Sequence, residues 1–462
     1  MFHRQTYIDR RHTLSQQLGK GLVLFLGNDD SSINYRDNHY PFRQDSNFLY
    51  FFGLKKPGLA ALIDIDSDTT ILFGDDKSVN DIIWEGKQPG MLELSERAGV
   101  AKFQPLADIT SYLQTAREKQ RNVHFLPPYR AEHERKLNAW LDVHPDQLQQ
   151  FVSADMIRAI VSQRSYKSTE EIQDIEKATN LAVDMHIEVM RSARAGMKEA
   201  ELLGRLYDIA LSAGGSLSFP PIVTVNGQIL HNHSYDNVLT EGQMLLCDSG
   251  AETDMHYASD LTRTFPVSPT FDTRQREVYE IVLQAHLAAI KALKPGTRFL
   301  DVHLLACQRL VDGLKEIGLM KGDSHEAVKA GAHALFFQCG LGHMMGQDVH
   351  DMENLGEQYV GYTDELQQST VFGLRSLRLG RALESGFVLT VEPGIYMIPE
   401  LIDQWQGQRK HTDFINYNRV NSFKDFSGIR IEDDFLITPE GSRQLGNPLP
   451  LTVSEIEAVR SH

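Results

Sequence analysis

Two aspartates in one short segment constrain the fold of this chain more than any other feature. The segment from Asp248 to Arg263 alternates like two strands joined by a tight turn. A turn centred on Asp254 would place Asp248 directly opposite Asp260, and opposed residues share one face of a sheet. Two carboxylates held together on a largely apolar hairpin repel each other unless a cation binds them. The hairpin therefore predicts a metal site.

Three later segments carry further candidate ligands. They are residues 340–351 (GLGHMMGQDVHD), 389–396 (LTVEPGIY) and 428–434 (GIRIEDD). Taken singly, each has a structural explanation: a loop or core histidine, a glutamate beside a turn, and a solvated charged edge. The glycine-rich start of the first segment is typical of phosphate loops, but it lacks their Lys-Ser/Thr ending.

Composition and charge narrow the class of protein. A chain of 462 residues is long enough for two or three domains. The net charge of -16 argues against a nucleic-acid partner, because phosphate binding needs clustered Lys and Arg. No apolar run approaches the ~20 residues of a membrane helix, and the start of the chain lacks an apolar signal core. We therefore expect a cytoplasmic protein without a membrane partner.

The three cysteines, Cys247, Cys307 and Cys339, are too few for a disulfide framework in a chain of this length. Cys247 neighbours Asp248 on the predicted strand. Because successive strand residues point to opposite faces, we expect the Cys247 side chain in the core.

Two domains are predicted from the pattern of elements. Residues 1–165 alternate between strand and helix patterns, with a strand at 22–26 and a hairpin over 60–73 that turns at Ser67 and Asp68. This pattern predicts an α/β domain.

Residues 166–462 form the second predicted domain, which is α+β. It opens on a capping box, Ser168 to Glu171, followed by a long helix. Strand patterns reach about residue 265, helices follow from 273 and 299, and strands return after 387.

The order of five acidic and histidine residues resembles one family. The chain resembles the pita-bread metallopeptidases, which include aminopeptidase P, prolidase (Xaa-Pro dipeptidase) and methionine aminopeptidase. The resemblance rests on the order and the flanking sequences of Asp248, Asp260, His343, Glu392 and Glu432. The resemblance covers residues 168–445, and residues 42–50 (FRQDSNFLY) resemble the smaller domain that precedes the catalytic one in the first two. It implies an α/β N-terminal domain of the creatinase/aminopeptidase P type, followed by an α+β pita-bread catalytic domain.

The resemblance implies a binuclear metal centre. Asp248 and Asp260 are the implied ligands from the hairpin, Asp260 and Glu432 bridge two divalent ions, and His343 and Glu392 complete one ion each. Oxygen-rich ligands with one imidazole favour Mn²⁺ or a similar ion. Glu392 is also the implied general base.

Non-ligand residues of the family also have counterparts here. His231 and His350 match two histidines that orient the scissile amide and stabilise its oxyanion. Arg430 shares a strand face with Glu432, so we expect it to steady the ligands and line the substrate site.

Dipeptidase activity is the favoured interpretation. Residues 373–381 (GLRSLRLGR) and the long stretch 401–426 look like prolidase, in which the position of Arg378 binds the free carboxylate of an Xaa-Pro dipeptide. Aminopeptidase P, which takes longer peptides, is the alternative, and a non-catalytic pita-bread binding module is the remote one. The resemblance also implies a homodimer or a higher homo-oligomer.

The chain departs from the family at three places. The hairpin aspartates are twelve residues apart, one more than usual, and a bulge or three-residue turn near Asp254 is expected to absorb the extra residue. Cys339 stands where relatives carry a histidine; it would be either an oxidisable thiol near the metals or a small buried filler, which is the favoured interpretation. Phe219 replaces a tyrosine.

Overall fold

The structure is a computed structural model that describes residues 1–461. In chain order, the helices of the described part are α1 (Arg4–Leu18), α2 (Ser46–Phe52), α3 (Val79–Glu85), α4 (Met91–Ala98), α5 (Ile109–Glu118), α6 (Ala131–Leu141), α7 (Leu148–Phe151), α8 (Ala154–Arg164), α9 (Thr169–Ser192), α10 (Glu199–Ser212), α11 (Thr273–Ala292), α12 (Phe299–Glu316), α13 (Ser324–Lys329), α14 (Glu357–Val360), α15 (Pro399–Gly407), α16 (Tyr417–Val420) and α17 (Val453–Arg460). Short 3₁₀ turns lie at Leu106–Asp108, Pro145–Gln147, Ala332–Leu335, Glu353–Leu355 and Asn421–Phe423. None of the helices within residues 1–461 combines the length and apolar character needed to cross a bilayer.

The strands of the same part are β1 (Leu22–Leu26), β2 (Ala60–Asp64), β3 (Thr69–Phe73), β4 (Lys102–Gln104), β5 (Val123–His124), β6 (Ser216–Leu217), β7 (Ile222–Thr224), β8 (Met244–Ser249), β9 (Ala251–Glu252), β10 (Leu261–Pro266), β11 (Val388–Val391), β12 (Gly394–Tyr396), β13 (Gly428–Arg430), β14 (Asp433–Ile437) and β15 (Ser442–Gln444). The chain divides into two compact units, one of Met1–Arg164 with Asn354–Tyr359, the other of Ser165–Glu353 with the chain from Val360 onward.

The first unit is built on a five-stranded sheet in the order β4-β3-β2-β1-β5. The predicted hairpin over 60–73 is confirmed: β2 and β3 pair antiparallel, and Asp68 has a positive φ of 47° in the turn between them. β1 pairs antiparallel with β2 and parallel with β5, which puts parallel and antiparallel pairs in one sheet. Apolar side chains from β1–β3, α5 and α6 form the core on one face.

The second unit begins its regular structure with α9, and the predicted capping box is confirmed there. Ser168 Oγ accepts a hydrogen bond from the N–H of Glu171, and the Glu171 carboxylate accepts one from the N–H of Ser168. These two bonds satisfy donors that a helix N-terminus leaves without partners. The helix buries one face in the main core of this unit.

Several small sheets position the later segments of the second unit. β8 lies between β10 and β7, and β14 lies between β11 and β15. β12 and β13 form a separate antiparallel pair. Cys247, on β8, is fully buried in the core, as its place beside Asp248 predicted.

The predicted pairing of the aspartate hairpin is wrong by two residues. Asp248 lies opposite Thr262 rather than Asp260, because the turn is centred on Met255 and not on Asp254. The Thr253 N–H donates to the carbonyl of Tyr257 at 3.1 Å and closes this turn. A slip of two residues preserves the face of every side chain. Asp260 and Thr262 share a face, so both aspartates still point to one side, and a three-residue turn over 254–256, one of the two expected alternatives, absorbs the extra residue without a bulge.

Gly250 permits the close approach of the two hairpin strands. A Cβ atom at this position would lie 1.8 Å from the carbonyl oxygen of Ser259. Any residue with a side chain would therefore push the strands apart just beside Asp260. The glycine keeps the two aspartates within reach of one another.

Candidate metal centre

Adjacent strands bring the first carboxylates together. The backbone of Glu432 pairs with Thr262, whose carbonyl accepts the N–H of Glu432 at 3.0 Å. Thr262 is therefore flanked by Asp248 on one side and Glu432 on the other. Its hydroxyl donates to Glu432 Oε2 at 2.7 Å, which fixes that carboxylate.

The glycine-rich segment supplies His343 by running alongside β11. The N–H of Thr390 donates to the carbonyl of His343 at 3.0 Å, and the N–H of Glu392 donates to the carbonyl of Leu341 at 2.7 Å. Gly342 is needed for this approach, since a Cβ atom there would lie 2.0 Å from the carbonyl oxygen of Thr390. Gly342 therefore allows the two backbones to pack closely, and this packing brings His343 beside Glu392.

The side chains converge on a small volume. His343 Nε2 lies 3.4 Å from Asp260 Oδ2 and 3.7 Å from Glu392 Oε1. The ligand atoms of Asp260, His343 and Glu432 all lie within 4.8 Å of one another. His343 Nδ1 lies 3.0 Å from the carbonyl of Met344, which fixes its proton there and leaves the lone pair of Nε2 towards the carboxylates.

Burial and mutual repulsion disfavour the charged forms of these acids. Burial and then the charge of Asp248 raise the pKa of Asp260 well above its usual value. Burial and then the charge of Asp260 do the same for the pKa of Glu432. Burial also raises the pKa of Glu392, and it lowers the pKa of His343. The group is therefore stable in its ionised form only when positive charge lies close by.

Arg430 supplies part of that positive charge. Its guanidinium donates to Asp248 Oδ2, to the Tyr396 hydroxyl at 2.9 Å and to Thr262 Oγ1 at 3.2 Å. The residue is 4% exposed, so these bonds are shielded from water. One guanidinium cannot neutralise four carboxylates.

The donor set fits divalent metal ions. Asp248 Oδ1 and Asp260 Oδ1 are buried and have no hydrogen-bond partner in the structure. Orphaned buried oxygens of this kind are costly unless an ion or water binds them. Four carboxylates and two divalent ions cancel in charge, and oxygen donors with one imidazole suit hard or borderline cations.

All nine sequence-predicted residues line one cavity of about 520 Å³. The cavity is bordered by Asp248, Asp260, His343, Glu392, Glu432, His231, His350, Arg378 and Arg430. Residues separated by as many as 201 positions in the chain (His231 and Glu432) thus share one surface. A cavity of this volume accommodates a small molecule or a short peptide.

His350 is held against His343 because a backbone hydrogen bond joins the two ends of the segment 344–351. The two rings lie 4.3 Å apart, centre to centre. The N–H of Asp351 donates to the carbonyl of Met344 at 2.8 Å, and its carboxylate pairs with the buried ammonium of Lys167 at 2.9 Å. His350 Nδ1 lies 2.5 Å from Glu353 Oε2. Burial lowers the pKa of His350 to about 4, so its ring is neutral at neutral pH.

Arg378 lies at the border of the same cavity. Its Nε lies 3.4 Å from Glu353 Oε2, and about a third of its side chain is exposed. His231 lies on the more exposed side, and burial followed by the charge of Arg430 lowers its pKa. The cavity thus has an acidic floor and a basic group at its border.

Comparisons with known proteins decide the family. Residues 173–439 match metallopeptidase family M24. The chain belongs to this family. Residues 7–124 match the aminopeptidase P N-terminal domain. This M24 metallopeptidase is therefore a hydrolase, and the predicted pairing of an N-terminal α/β domain with a pita-bread catalytic domain is confirmed.

Relatives of this M24 metallopeptidase match it along almost its whole length. It is 32% identical over 467 residues to the Xaa-Pro dipeptidase of Homo sapiens, covering 99% of this chain and 92% of that protein. It is 31% identical over 472 residues to the Xaa-Pro aminopeptidase of Escherichia coli (strain K12), covering 99% and 97%. The solved structure of an aminopeptidase P from Pseudomonas aeruginosa superposes with a TM-score of 0.82, 28% identity, and coverage of 100% and 98%.

Four supporting residues of this metallopeptidase were not predicted from the sequence. Thr262 binds Glu432, Tyr396 binds Arg430, and Glu353 binds both His350 and Arg378. Asp434 accepts the N–H of Asp260 at 3.2 Å. Three of these residues lie in the segments that carry the predicted ligands: Thr262 and Asp434 are each two residues from a ligand, and Tyr396 is four residues from one. Strand periodicity would have placed Thr262 and Asp434 on the ligand face.

Two departures from the family pattern lie at the cavity. Cys339 and Phe219 both line it. The Cys339 Sγ atom lies 3.8 Å from the Tyr396 hydroxyl, and burial raises the pKa of its thiol to about 12. The side chain is therefore an uncharged thiol at neutral pH.

Proposed function

We propose that this metallopeptidase hydrolyses the Xaa-Pro bond of short peptides and prefers dipeptides. The relatives named Xaa-Pro dipeptidase and Xaa-Pro aminopeptidase support the bond specificity. The observation that carries the proposal is the single cavity that is lined both by a carboxylate cluster with unpartnered oxygens and by Arg378.

The metal centre of the proposal is formed by Asp248, Asp260, His343, Glu392 and Glu432. These residues would hold two divalent ions, and we favour Mn²⁺ because four of the five ligands are carboxylates. When bound, the ions supply a water of lowered pKa and positive charge for the tetrahedral intermediate.

Glu392 is the proposed general base. Its carboxylate lies at the cavity surface, and burial raises its pKa, which makes it a better proton acceptor than a solvated glutamate. It takes a proton from the attacking water. It then passes that proton to the proline nitrogen, which leaves as a secondary amine because the Xaa-Pro bond is a tertiary amide without an N–H.

The two histidines have different roles in this proposal. The Nδ1–H of neutral His350 donates to Glu353, so its Nε2 is an acceptor that can orient an N–H of the peptide. His231 is then the histidine that donates to the developing oxyanion. We thus assign oxyanion stabilisation, which the family resemblance gives to both histidines, to His231 alone.

Arg378 supports the preference for dipeptides. A planar guanidinium binds a carboxylate with two parallel hydrogen bonds, and a dipeptide presents its free carboxylate just beyond proline. Glu353, 3.4 Å from Nε, holds the side chain at the cavity border. A longer peptide has an amide at this position and cannot make the same charged contact.

The second candidate is an Xaa-Pro aminopeptidase that acts on longer peptides. It is supported by the match of the whole chain to the Escherichia coli Xaa-Pro aminopeptidase and to the Pseudomonas aeruginosa structure. Mn²⁺-supplemented hydrolysis of an Xaa-Pro dipeptide and of the same peptide extended beyond proline separates the two candidates. We expect cleavage of the dipeptide to dominate. Preferred cleavage of the longer peptide would establish the aminopeptidase, and cleavage of neither would favour the binding module.

An Arg378→Ala variant tests the carboxylate contact. A charged hydrogen bond contributes about 1.5–3 kcal/mol, so KM for the dipeptide is expected to rise about tenfold to a hundredfold, while hydrolysis of the longer peptide changes little. Arg375→Ala is the matched control, because Arg375 belongs to the same basic segment but does not line the cavity. An equal effect of Arg378→Ala on both peptides would contradict the assignment. A cytoplasmic location and a homo-oligomeric state stay predictions.

A further inference from the structure

We propose a second metal site, formed by His303, Cys307 and His333 and suited to a zinc-like ion. His303 and Cys307 are one turn apart on α12 and therefore lie on the same helix face. His333 belongs to the 3₁₀ turn Ala332–Leu335. The ligand atoms of the three residues all lie within 4.8 Å of one another. This site goes beyond the proposed peptidase function and does not depend on it.

The three side chains are sealed from solvent. His303 and Cys307 are fully buried, and His333 is 2% exposed. The ring of Phe337 stacks on His303 with 5.5 Å between centroids. A Cβ atom added at Gly373 would lie 3.8 Å from His333 Nε2, so the backbone of residue 373 closes another side.

Three ring nitrogens in this cluster make no hydrogen bond of ordinary geometry within residues 1–461. They are His303 Nδ1 and both nitrogens of His333. The contact of His303 Nε2 is the Cys307 Sγ atom at 3.4 Å. A buried polar group without a partner costs about 1–3 kcal/mol, and an ion or a water molecule is the usual explanation.

Other buried histidines of the same unit show what an ordinary core histidine does. His286 Nε2 lies 2.9 Å from the Asp433 carboxylate. His186 Nε2 lies 3.2 Å from both the carbonyl and the hydroxyl of Ser249. Each of these rings is held by an oxygen at Nε2, while its Nδ1 has no hydrogen-bond partner within the described residues. His333 differs because neither of its nitrogens makes a hydrogen bond of ordinary geometry within the described residues; the backbone of Val328 lies close enough only to offset part of the lowering of its pKa by burial.

The donor set selects the class of ion. One thiolate and two neutral imidazoles suit zinc and similar borderline-soft ions, in contrast to the oxygen-rich catalytic centre. Burial keeps both imidazoles in the neutral form that binds metals. Binding releases the proton of the Cys307 thiol, which leaves as the sulfur–metal bond forms. Three protein ligands leave one coordination position for a water molecule.

The expected role of this ion is structural. It would link α12 to the segment after Gly331, which continues through Cys339 to His343 of the catalytic centre. Because the site is sealed, we expect the ion to bind during folding and to exchange slowly. An ion at this place would hold the start of the His343 segment against the helix.

Cobalt provides a readout that does not depend on peptidase activity. Co²⁺ bound to a thiolate gives a sulfur-to-metal charge-transfer absorption in the near ultraviolet, and the catalytic ligand set contains no thiol. The full chain is produced in Co²⁺-supplemented medium, and its absorption and metal content are compared with those of Cys307→Ser. Cys339→Ser is the matched control, because this thiol lines the catalytic cavity.

We expect the absorption in the unmodified chain and in Cys339→Ser. In Cys307→Ser we expect the absorption to disappear and the metal content to fall by about one ion per chain. Absence of the absorption from the unmodified folded chain would overturn the proposal even if Cys307→Ser failed to fold. Its persistence in Cys307→Ser, or its loss in Cys339→Ser instead, would overturn it as well.

Discussion

The carboxylate centre and the histidine–cysteine cluster both leave buried polar atoms without partners, but they differ in donors and in access. The first has four carboxylates and one imidazole at the surface of a cavity of about 520 Å³. The second has one thiol and two imidazoles enclosed by apolar side chains.

This difference indicates that buried polar atoms without partners can serve two different functions. Orphaned donors beside a cavity allow an ion to meet a substrate, and hard oxygen ligands leave that ion acidic enough for hydrolysis. Orphaned donors in a sealed core allow an ion only to join two segments of chain. Variants that change chemistry should therefore cluster at the first site, and variants that change stability alone at the second.

The largest expected effect is the loss of turnover in Glu392→Ala. Removing a general base costs about 10²–10⁴-fold, and this residue is also a proposed metal ligand, so we expect kcat/KM to fall at least about a thousandfold. Peptide hydrolysis is measured with metal content determined on the same sample. Glu400→Ala, at an exposed position early in α15, serves as the control. Retained activity with full metal content would show that Glu392 is not the base.

The next effect concerns the stability of the acidic centre. Arg430→Met removes the buried partner of Asp248, and breaking such a pair costs about 3–5 kcal/mol. We expect the free energy of unfolding of the metal-free chain to fall by about that amount in a urea titration. The control is Arg298→Met, because the pair of Arg298 with Asp301 is about half exposed and screened by solvent, so its loss should change stability little. Equal decreases in the free energy of unfolding of the two variants would show that Arg430 contributes no more than an exposed arginine.

A smaller effect is expected from Glu353→Gln, and it depends on pH. The hydrogen bond from His350 is the main cause that lowers the pKa of Glu353 from 4.5 to about 2. A carboxyl with a depressed folded-state pKa stabilises the fold above its unfolded pKa and loses that contribution as the pH falls through the folded value. The variant should therefore be less stable than the unmodified chain at pH 6, and the gap should close between pH 4.5 and pH 2. Urea titrations across this range measure the gap, and a constant gap would contradict the assignment.

The smallest effect is expected from Cys339→Ala. The thiol is uncharged at neutral pH because burial raises its pKa to about 12, and its contact is a weak one with the Tyr396 hydroxyl. Deleting one small side chain at the cavity surface should change kcat/KM by about twofold at most. A loss of a hundredfold or more would show that Cys339 takes part in substrate binding.

The sequence predicted the domain types and the residues of the cavity, but it did not predict how they are held. The aspartates were placed on the correct face and in the wrong register, because the centre of the turn depends on a positive φ of 62° at His256, which strand alternation does not reveal. The acidic run at Glu432 resembles a solvated edge in sequence, yet it is buried because β14 is the central strand of its sheet.

The cluster of His303, Cys307 and His333 could not be predicted from the sequence for a related reason. His303 and Cys307 have the spacing of one helical turn, which is common in ordinary helices. His333 comes from a separate short turn, and only the packing of that turn against α12 brings the three residues together.

The turn of the aspartate hairpin has a consequence for how relatives are recognised. The strand pairing, and not the number of residues in the turn, determines which face Asp248 and Asp260 occupy. Asp254, in the turn, is exposed, so the hairpin can lengthen there without moving either carboxylate. A search pattern that requires a fixed count of residues between the two aspartates would reject functional chains. One that describes the strand on each side, and leaves the gap open, would retain them.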